Sequence, residues 1–278
     1  INFDPGLWRF KHTAFYLASS IQKHNLTTKK LLNQDNILKE NISKGISTQN
    51  PNTYSILYDK MLKPLVPYKI KGFLWYQGEA NVTNYYDYKE LLTGLIEDWR
   101  DKWKEKLPFY FVQIAPYIYT SNELSQELRE AQRKTLDVEK TGMAVTLDIG
   151  EKDDIHPANK QDVGLRLAKL ALANDYDKYK VVASGPLYKS KKSYDSYIDL
   201  YFDYVGSGLI SKGFLDGFEI AGSDSFYYPA TAKIIGNKVR VYSKKVKNPK
   251  TVRYGWQNYF DATLFNKEGL PASSFQTN

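Results

Sequence analysis

Two short stretches carry polar residues at spacings that can do chemistry. In Asp148-Ile-Gly-Glu-Lys-Asp153-Asp-Ile-His156-Pro157, two carboxylates stand three and two residues ahead of a histidine. Histidine works as a general base when a carboxylate fixes one tautomer of its imidazole, and either acid can reach it across a tight turn. This pairing is more specific than a lone histidine, although a surface turn leading into a helix reads the same way. The second stretch is Trp75-Tyr-Gln77-Gly78-Glu79-Ala-Asn81. Its glycine lets backbone amides approach a ligand, while Gln77 and Asn81 offer side-chain amide donors suited to a developing oxyanion. A strand-to-helix turn capped by asparagine is the plain alternative, and it stands on equal terms. His12 and His24 have no acidic neighbours in sequence and read as surface or packing residues. Tyr85, Tyr86, Tyr88, Trp99 and Trp103 are spaced as one helix face and read as core, whereas Trp75 and Tyr76 can pack or contact sugar.

Composition removes several classes of function. The 278 residues contain no cysteine, which excludes disulfides, thiolate zinc sites and a cysteine nucleophile. Three histidines argue against a metal site built on imidazoles, so neither metal nor cofactor is expected. No run approaches the ~20 apolar residues that a membrane-spanning helix needs, and no membrane partner is expected. The net charge of +8 invites a nucleic-acid reading. However, the excess is diffuse, with 13 Lys and Arg against 8 Asp and Glu over residues 186–278. The densest cluster, Lys244, Lys245, Lys247 and Lys250, is interleaved with valine and reads as the solvated face of a sheet. Nucleic acid is therefore not an expected partner. Ile1-Asn-Phe-Asp-Pro5 shows neither an initiator methionine nor the basic and apolar regions of a leader, so the expectation is a beginning that is missing or already removed.

The elements that must position these residues follow from periodicity. Apolar residues at helical spacing predict a helix over 13–22, and residues 25–53 read as a polar surface segment. A short helix is predicted over 57–65, then a buried strand over 70–76 and an amphipathic helix over 85–104 covering a sheet face. Strands over 109–115 and 143–149 alternate with helices over 123–139 and 160–173. That order predicts parallel βα units, whose functional groups collect on loops at the carboxyl ends of the strands. After Gly185 the pattern changes to short alternating runs over 198–205, 218–221, 231–235, 239–243 and 251–254, with Gly236-Asn237 as a hairpin turn. The expected division is an α/β domain over 1–185 and an antiparallel module over 186–278.

The run from Tyr54 through Tyr58-Asp-Lys-Met61, Pro64, Pro67, Gly72 and Trp75-Tyr-Gln-Gly-Glu-Ala-Asn81 resembles the sialate O-acetylesterase family of SGNH-type carbohydrate esterases. Further segments follow in family order: Pro108-Phe-Tyr-Phe-Val-Gln113, Leu128-Arg-Glu-Ala-Gln132, Thr141-Gly-Met-Ala-Val-Thr146 and Asp154-Ile-His-Pro157 through Ala168. So do Ser184-Gly-Pro-Leu-Tyr188, Val252-Arg-Tyr-Gly-Trp256 and Asn266-Lys-Glu-Gly-Leu-Pro-Ala-Ser273, and the likeness covers about residues 52–278. It implies a flavodoxin-like parallel sheet with helices on both faces and a C-terminal β-sandwich-like module. It also implies metal-free, cofactor-free removal of O-acetyl groups from sialic acid or related acetylated sugars, in the periplasm or outside the cell. His156 matches the family's general base. The SGNH spacing points to Asp153 as its carboxylate, whereas bacterial relatives keep the acid of Asp-Ile-His-Pro, which is Asp154. Gln77, Gly78, Glu79 and Asn81 match the loop near the oxyanion site, beside Trp75.

The sequence departs from the family at the nucleophile. Members carry their serine in a Gly-Gln-Ser-Asn type loop after the first strand, and no serine here has that context. Ser19 and Ser20 fall in a predicted helix, and Ser207 falls in the β module. The expectation is the C-terminal part of an esterase, inactive or nearly so alone. The competing reading is a noncatalytic carbohydrate-binding homologue. Oligomeric state is not readable from these patterns.

Overall fold

The computed structural model describes residues 57–120 and 123–278. The predicted helix over 13–22, the segment 25–53, His12, His24, Ser19 and Ser20 lie outside the described residues. Close contacts divide the chain into two units, one of residues 1–73 and 87–107, the other of residues 74–86 and 108–278.

In the first unit the predicted helix over 57–65 is a single wide turn, Tyr58–Leu62, running into a 3-10 turn, Lys63–Leu65. Pro64 sits in the first turn of the latter, where a missing N–H costs nothing. Helix α1 spans Tyr88–Trp103 and buries Tyr88, Leu91, Leu92, Leu95 and Ile96, one stripe at intervals of three and four. It ends where Lys104 turns left-handed at φ 53° and its N–H reaches back to Arg100 and Asp101. The Phe73 ring packs 5.1 Å from both Trp99 and Trp103, while Trp103 Nε1 donates to the Tyr68 carbonyl at 3.1 Å. The aromatic face expected over 85–104 is thus split. Tyr85 and Tyr86 belong to the preceding 3-10 stretch Glu79–Asp87, and Tyr86 is exposed.

The second unit holds the parallel sheet. Strands β1 (Phe73–Trp75), β2 (Phe109–Val112) and β3 (Thr141–Ala144) lie in the order β1-β2-β3. Strands β2 and β3 are parallel, with Phe109 opposite Thr141 and Val112 opposite Ala144. Every residue of β2 is buried, as an apolar run in a sheet covered on both faces requires. Tyr110, Val112 and Ala144 pack on Val163, Leu167 and Leu170 of helix α3 (Lys160–Asp175). Helix α2 spans Ser125–Lys134, and a 3-10 turn, Thr135–Asp137, ends it before the predicted limit at 139. Strand β3 stops at Ala144 rather than 149. Beyond it the Ile149 N–H bonds back to the Thr146 carbonyl, and the Thr146 hydroxyl donates to the Gln113 carbonyl. The chain turns there instead of extending the ladder.

Ten antiparallel strands follow. They are β4 (Leu187–Ser193), β5 (Ile198–Asp203), β6 (Leu209–Ser211), β7 (Phe218–Ala221), β8 (Tyr227–Pro229), β9 (Thr231–Ile235), β10 (Lys238–Tyr242), β11 (Thr251–Tyr254), β12 (Leu264–Asn266) and β13 (Phe275–Gln276). They form sheets β4-β5-β10-β9 and β13-β11-β7-β8 and the pair β12-β6. Gly236 and Asn237 make the two-residue hairpin between β9 and β10, with Gly236 at φ 59° as a twist-matched turn requires. The lysines Lys244, Lys245, Lys247 and Lys250 are exposed, but they lie in the connection from β10 to β11 and its junction with β11, not on a sheet face.

Two buried charges shape this unit. Arg129 of α2 is fully buried and donates to the Ser125 and Ser274 hydroxyls and to the carbonyls of Gly255, Gln257 and Asn258. None of these partners is a carboxylate, and burial lowers its pKa to about 10. In the β4-β5-β10-β9 sheet, the buried Asp199 accepts from Arg240 Nε at 2.8 Å and from Lys238 Nζ at 2.6 Å. The Arg240 bond, followed by that of Lys238, holds the Asp199 carboxyl below the usual carboxylate range.

Arg129→Met removes the donor shared by five acceptors, of which the Asn258 carbonyl keeps the Tyr117 N–H, and it is expected to cost about 3–5 kcal/mol in urea unfolding. Because the Asp199 pKa is depressed on folding, its contribution is present above the unfolded value of about 3.9 and is lost as pH falls through the lower folded value. Asp199→Asn is therefore expected to flatten the fall of the unfolding midpoint between pH 5 and pH 2, as read by urea titrations across that range.

Candidate active site

The loops that leave the carboxyl ends of β1, β2 and β3 meet in the second unit, where an open parallel sheet puts its ligand crevice. The β1 loop is held by Gln132 of α2, whose Nε2 donates to the Gln77 carbonyl at 3.3 Å and to the Val112 carbonyl at 3.2 Å. Its Oε1 accepts from the Ile114 N–H at 2.9 Å, so one side chain ties the ends of two strands. Gly78 lies against this tie. A Cβ there would stand 2.8 Å from Ile114 Cγ2 and 3.0 Å from Gln132 Nε2, which explains the glycine between Gln77 and Glu79. Gln77 is buried, and its Nε2 donates to Asn81 Oδ1 at 2.6 Å. That bond turns the Asn81 amide nitrogen away from Gln77, so one of the two sequence-nominated amides orients the other.

The β2 loop bridges its neighbours. The Ile118 N–H donates to the Lys152 carbonyl of the β3 loop at 3.1 Å. Tyr119 is buried with its ring edge-on to Tyr117 at 4.9 Å. Burial, and secondarily the charge of Glu79, raises the phenols of both Tyr76 and Tyr119, so Glu79 sits beside two neutral hydroxyls. Glu79 and Trp75 are half-buried.

The β3 loop carries the histidine. Asp154 Oδ1 accepts the His156 backbone N–H at 2.8 Å and stands 3.8 Å from His156 Nδ1, with both side chains about half exposed. Asp153 is exposed, and its charge helps to raise the phenol of Tyr259, whose bond to Asp261 is the larger cause. The loop is closed by Glu151, whose carboxylate accepts the Ala158 N–H at 2.5 Å, and by Asn159, which caps α3 by accepting from the Asp162 N–H at 3.1 Å. Gly150 passes so close to Pro116 of the β2 loop that a Cβ would fall 2.6 Å from Pro116 Cδ. Lys160, four residues beyond the histidine, places its ammonium 5.0 Å from the Tyr76 ring and so joins the β1 and β3 loops. Beneath them Arg166 of α3 holds Asp148 through two bonds of 2.6 and 2.8 Å, and it also donates to the Val145 carbonyl.

The geometry thus gathers His156, Asp154, Asp153, Glu79 and Asn81 onto loops at one end of one sheet, with Gln77 and Gly78 underneath. Among the described residues no three His, Asp or Glu side chains converge to hold a metal ion. Residues 40–173 match the family of carbohydrate esterases described as sialic acid-specific acetylesterase. A carbohydrate acetylesterase from Xanthomonas citri superposes with a TM-score of 0.78 and 41% identity, covering 83% of this chain and 56% of that one. The sialate O-acetylesterases of Mus musculus and Homo sapiens are 32% and 31% identical over 166 and 162 residues. Over residues 40–173 the chain is similar to the sialic acid-specific acetylesterase family. Those matches cover 52% and 51% of this chain and 31% of each relative, so the chain spans about a third of the length of the mammalian esterases. The parallel sheet, its helices and the antiparallel strands are an SGNH-type α/β fold.

Several groups that build this candidate site were not given roles from sequence. Lys160, Gln132 and Arg166 fall inside the family-like segments, Tyr119 follows β2, and Asp148 opens the loop after β3. Their roles depend on which loops meet, and no local spacing encodes that. Removing one partner of the Arg166–Asp148 pair, which is largely shielded from solvent, strands the other. Arg166→Met is therefore expected to cost about 3–5 kcal/mol, with the Asp148→Asn/Arg166→Met double variant costing less than the sum of the singles, as read by a double-mutant cycle in urea.

Proposed function

We propose that this polypeptide carries the base-bearing part of an esterase that removes O-acetyl groups from sialic acid or a related acetylated sugar by Ser-His-Asp type hydrolysis. The placement of His156, a flanking carboxylate and the Asn81 amide on loops at the same end of the two strands that flank β2 carries this reading. His156 takes the proton from the attacking hydroxyl and returns it to the leaving sugar oxygen. Asp154, already fixed by the His156 N–H, is the nearer carboxylate for orienting the imidazole, with Asp153 as the alternative at the SGNH spacing. Asn81 and the backbone at Gly78 face the oxygen that becomes negative as acetate is transferred. Glu79, flanked by neutral phenols, and Trp75 contribute to sugar binding beside them.

The nucleophile is read as lying outside the described serines. The Ser125 hydroxyl is engaged with Asn258, that of Ser184 donates to the Gly185 carbonyl, and that of Ser207 donates to Glu268 in the β module. Residues 1–185 are taken as the hydrolase-like domain and 186–278 as a β-sandwich-like module, and the substrate class suggests work in the periplasm or outside the cell.

The test is acetate release from an O-acetylated sialic acid, measured for this chain and for a longer polypeptide with a Gly-Gln-Ser-Asn loop supplied ahead of it. The longer form is expected to be active and to lose at least about 10³-fold in kcat on His156→Ala. Labelling of the present chain by a serine-directed fluorophosphonate, with acetate release, would overturn the reading of its nucleophile. Full activity of His156→Ala would overturn the role of the base.

A further inference from the structure

The β4-β5-β10-β9 sheet has one apolar face and one basic face. Ile198, Leu200, Phe202, Val239 and Val241 are buried on the first. On the second, the pairing register sets Lys192 of β4 opposite Asp199 of β5, Asp199 opposite Arg240 of β10, and Arg240 opposite Lys233 of β9. Cross-strand partners share a face, so these four form a row across the sheet, roughly 15 Å long at the usual strand spacing. The next row sets Lys238 between Tyr201 and Ile235. Four cations therefore face one carboxylate, Asp199, which is wholly buried beneath them. At the sheet's edge Lys189 and Asp203 cancel each other through a 2.7 Å ion pair, and Asp195 lies in the β4–β5 turn.

These cations are held in place. Asp199 anchors Arg240 and Lys238, and the Arg240 guanidinium lies 3.9 Å from the centre of the Tyr197 ring. Tyr194 stacks on Tyr197 at 4.5 Å, and the Lys192 ammonium lies 5.3 Å from the Tyr194 ring. A preordered row of cations loses less side-chain freedom on meeting an anion than free lysines do. We propose that this sheet face binds an acidic polysaccharide, with carboxylates along the polymer meeting Lys192, Arg240 and Lys233 across the strands. Charge complementarity supplies the attraction. The choice of a glycan over other polyanions rests on the carbohydrate-esterase reading and on the tyrosines. Single-stranded nucleic acid needs open aromatic faces for its bases, and Tyr197 is already enclosed between Arg240 and Tyr194.

The experiment titrates the chain with polygalacturonate by fluorescence anisotropy, with dextran as the neutral polymer and single- and double-stranded DNA as competing polyanions. The polymer carries no acetyl groups, so failure of acetate release by the longer form, with polymer binding retained, would sink the hydrolase reading and leave this one intact. Binding to polygalacturonate but not dextran is expected, weakening steeply between 50 and 200 mM salt. Lys192→Ser/Lys233→Ser is expected to weaken it about tenfold, with an unchanged circular dichroism spectrum. Lys244→Ser/Lys245→Ser, in the connection after β10, is the control and is expected to leave it unchanged. Tighter binding of either DNA, no binding at 50 mM salt, or loss confined to the control variant would each overturn the proposal.

Discussion

A guanidinium with no carboxylate to meet it governs how the larger unit is assembled. Burying Arg129 strips its water, and every N–H must then find an acceptor in the protein. The acceptors come from three places: the first turn of α2, the chain after β11 and the chain before β13. Those segments are fixed in position and direction because their carbonyls and hydroxyls must point at one side chain. Asn258 extends the arrangement. It caps α2 by accepting the Ser125 N–H, donates to the Glu123 carbonyl, and accepts the Tyr117 N–H through its own carbonyl. Leu124, at the N-cap position, offers no side-chain bond, so the cap of α2 is supplied from the antiparallel strands.

The same helix then reaches the reactive loops. Leu128, Arg129 and Gln132 stand within one turn or so of α2. Arg129 looks toward the β-rich segments, and Leu128 and Gln132 look toward Gly78. Gln113 adds a second link, with Nε2 donating to the Ser273 hydroxyl and the Arg129 carbonyl. The β1 and β2 loops are therefore positioned by contacts that run through the antiparallel strands, not by the three-stranded sheet alone. A three-stranded parallel sheet with strands of three and four residues has little of its own to hold loops still.

Much of this was legible from sequence, and the failures have physical reasons. Strands β7, β9 and β11 match their predicted runs to the residue, because alternation of buried and exposed side chains is the signal those strands carry. Strand β4 escaped because its outward positions and much of its inward side are Lys and Ser, a polar run that pairing, not burial, makes a strand. Strand β3 was overextended because Val145, Leu147 and Ile149 continue an apolar pattern that serves the loop's packing after the ladder ends. At the site, the spacing of Asp153, Asp154 and His156 and the amides of Gln77 and Asn81 were readable as chemistry. The hierarchy within them was not, since only the fold shows Gln77 buried behind Asn81 and Asp154 bonded to the histidine's own backbone.

The acids between β3 and the histidine show how a family motif mixes scaffold and chemistry. Asp148 is committed to Arg166, Glu151 to the Ala158 N–H, and Asp154 to the His156 N–H. Each fixes one stage of the path: where the loop leaves the sheet, how wide it opens, and how the histidine's backbone is turned. Gly150 against Pro116 and Asn159 at the head of α3 complete the frame. With its backbone so constrained, His156 keeps a half-exposed ring, as the base of the proposed hydrolysis must to meet both a hydroxyl and a sugar oxygen. A carboxylate that has already paid for its turn can also face the imidazole without new ordering. In the proposed hydrolysis Asp154 therefore combines the two tasks, whereas Asp153 would first have to be fixed.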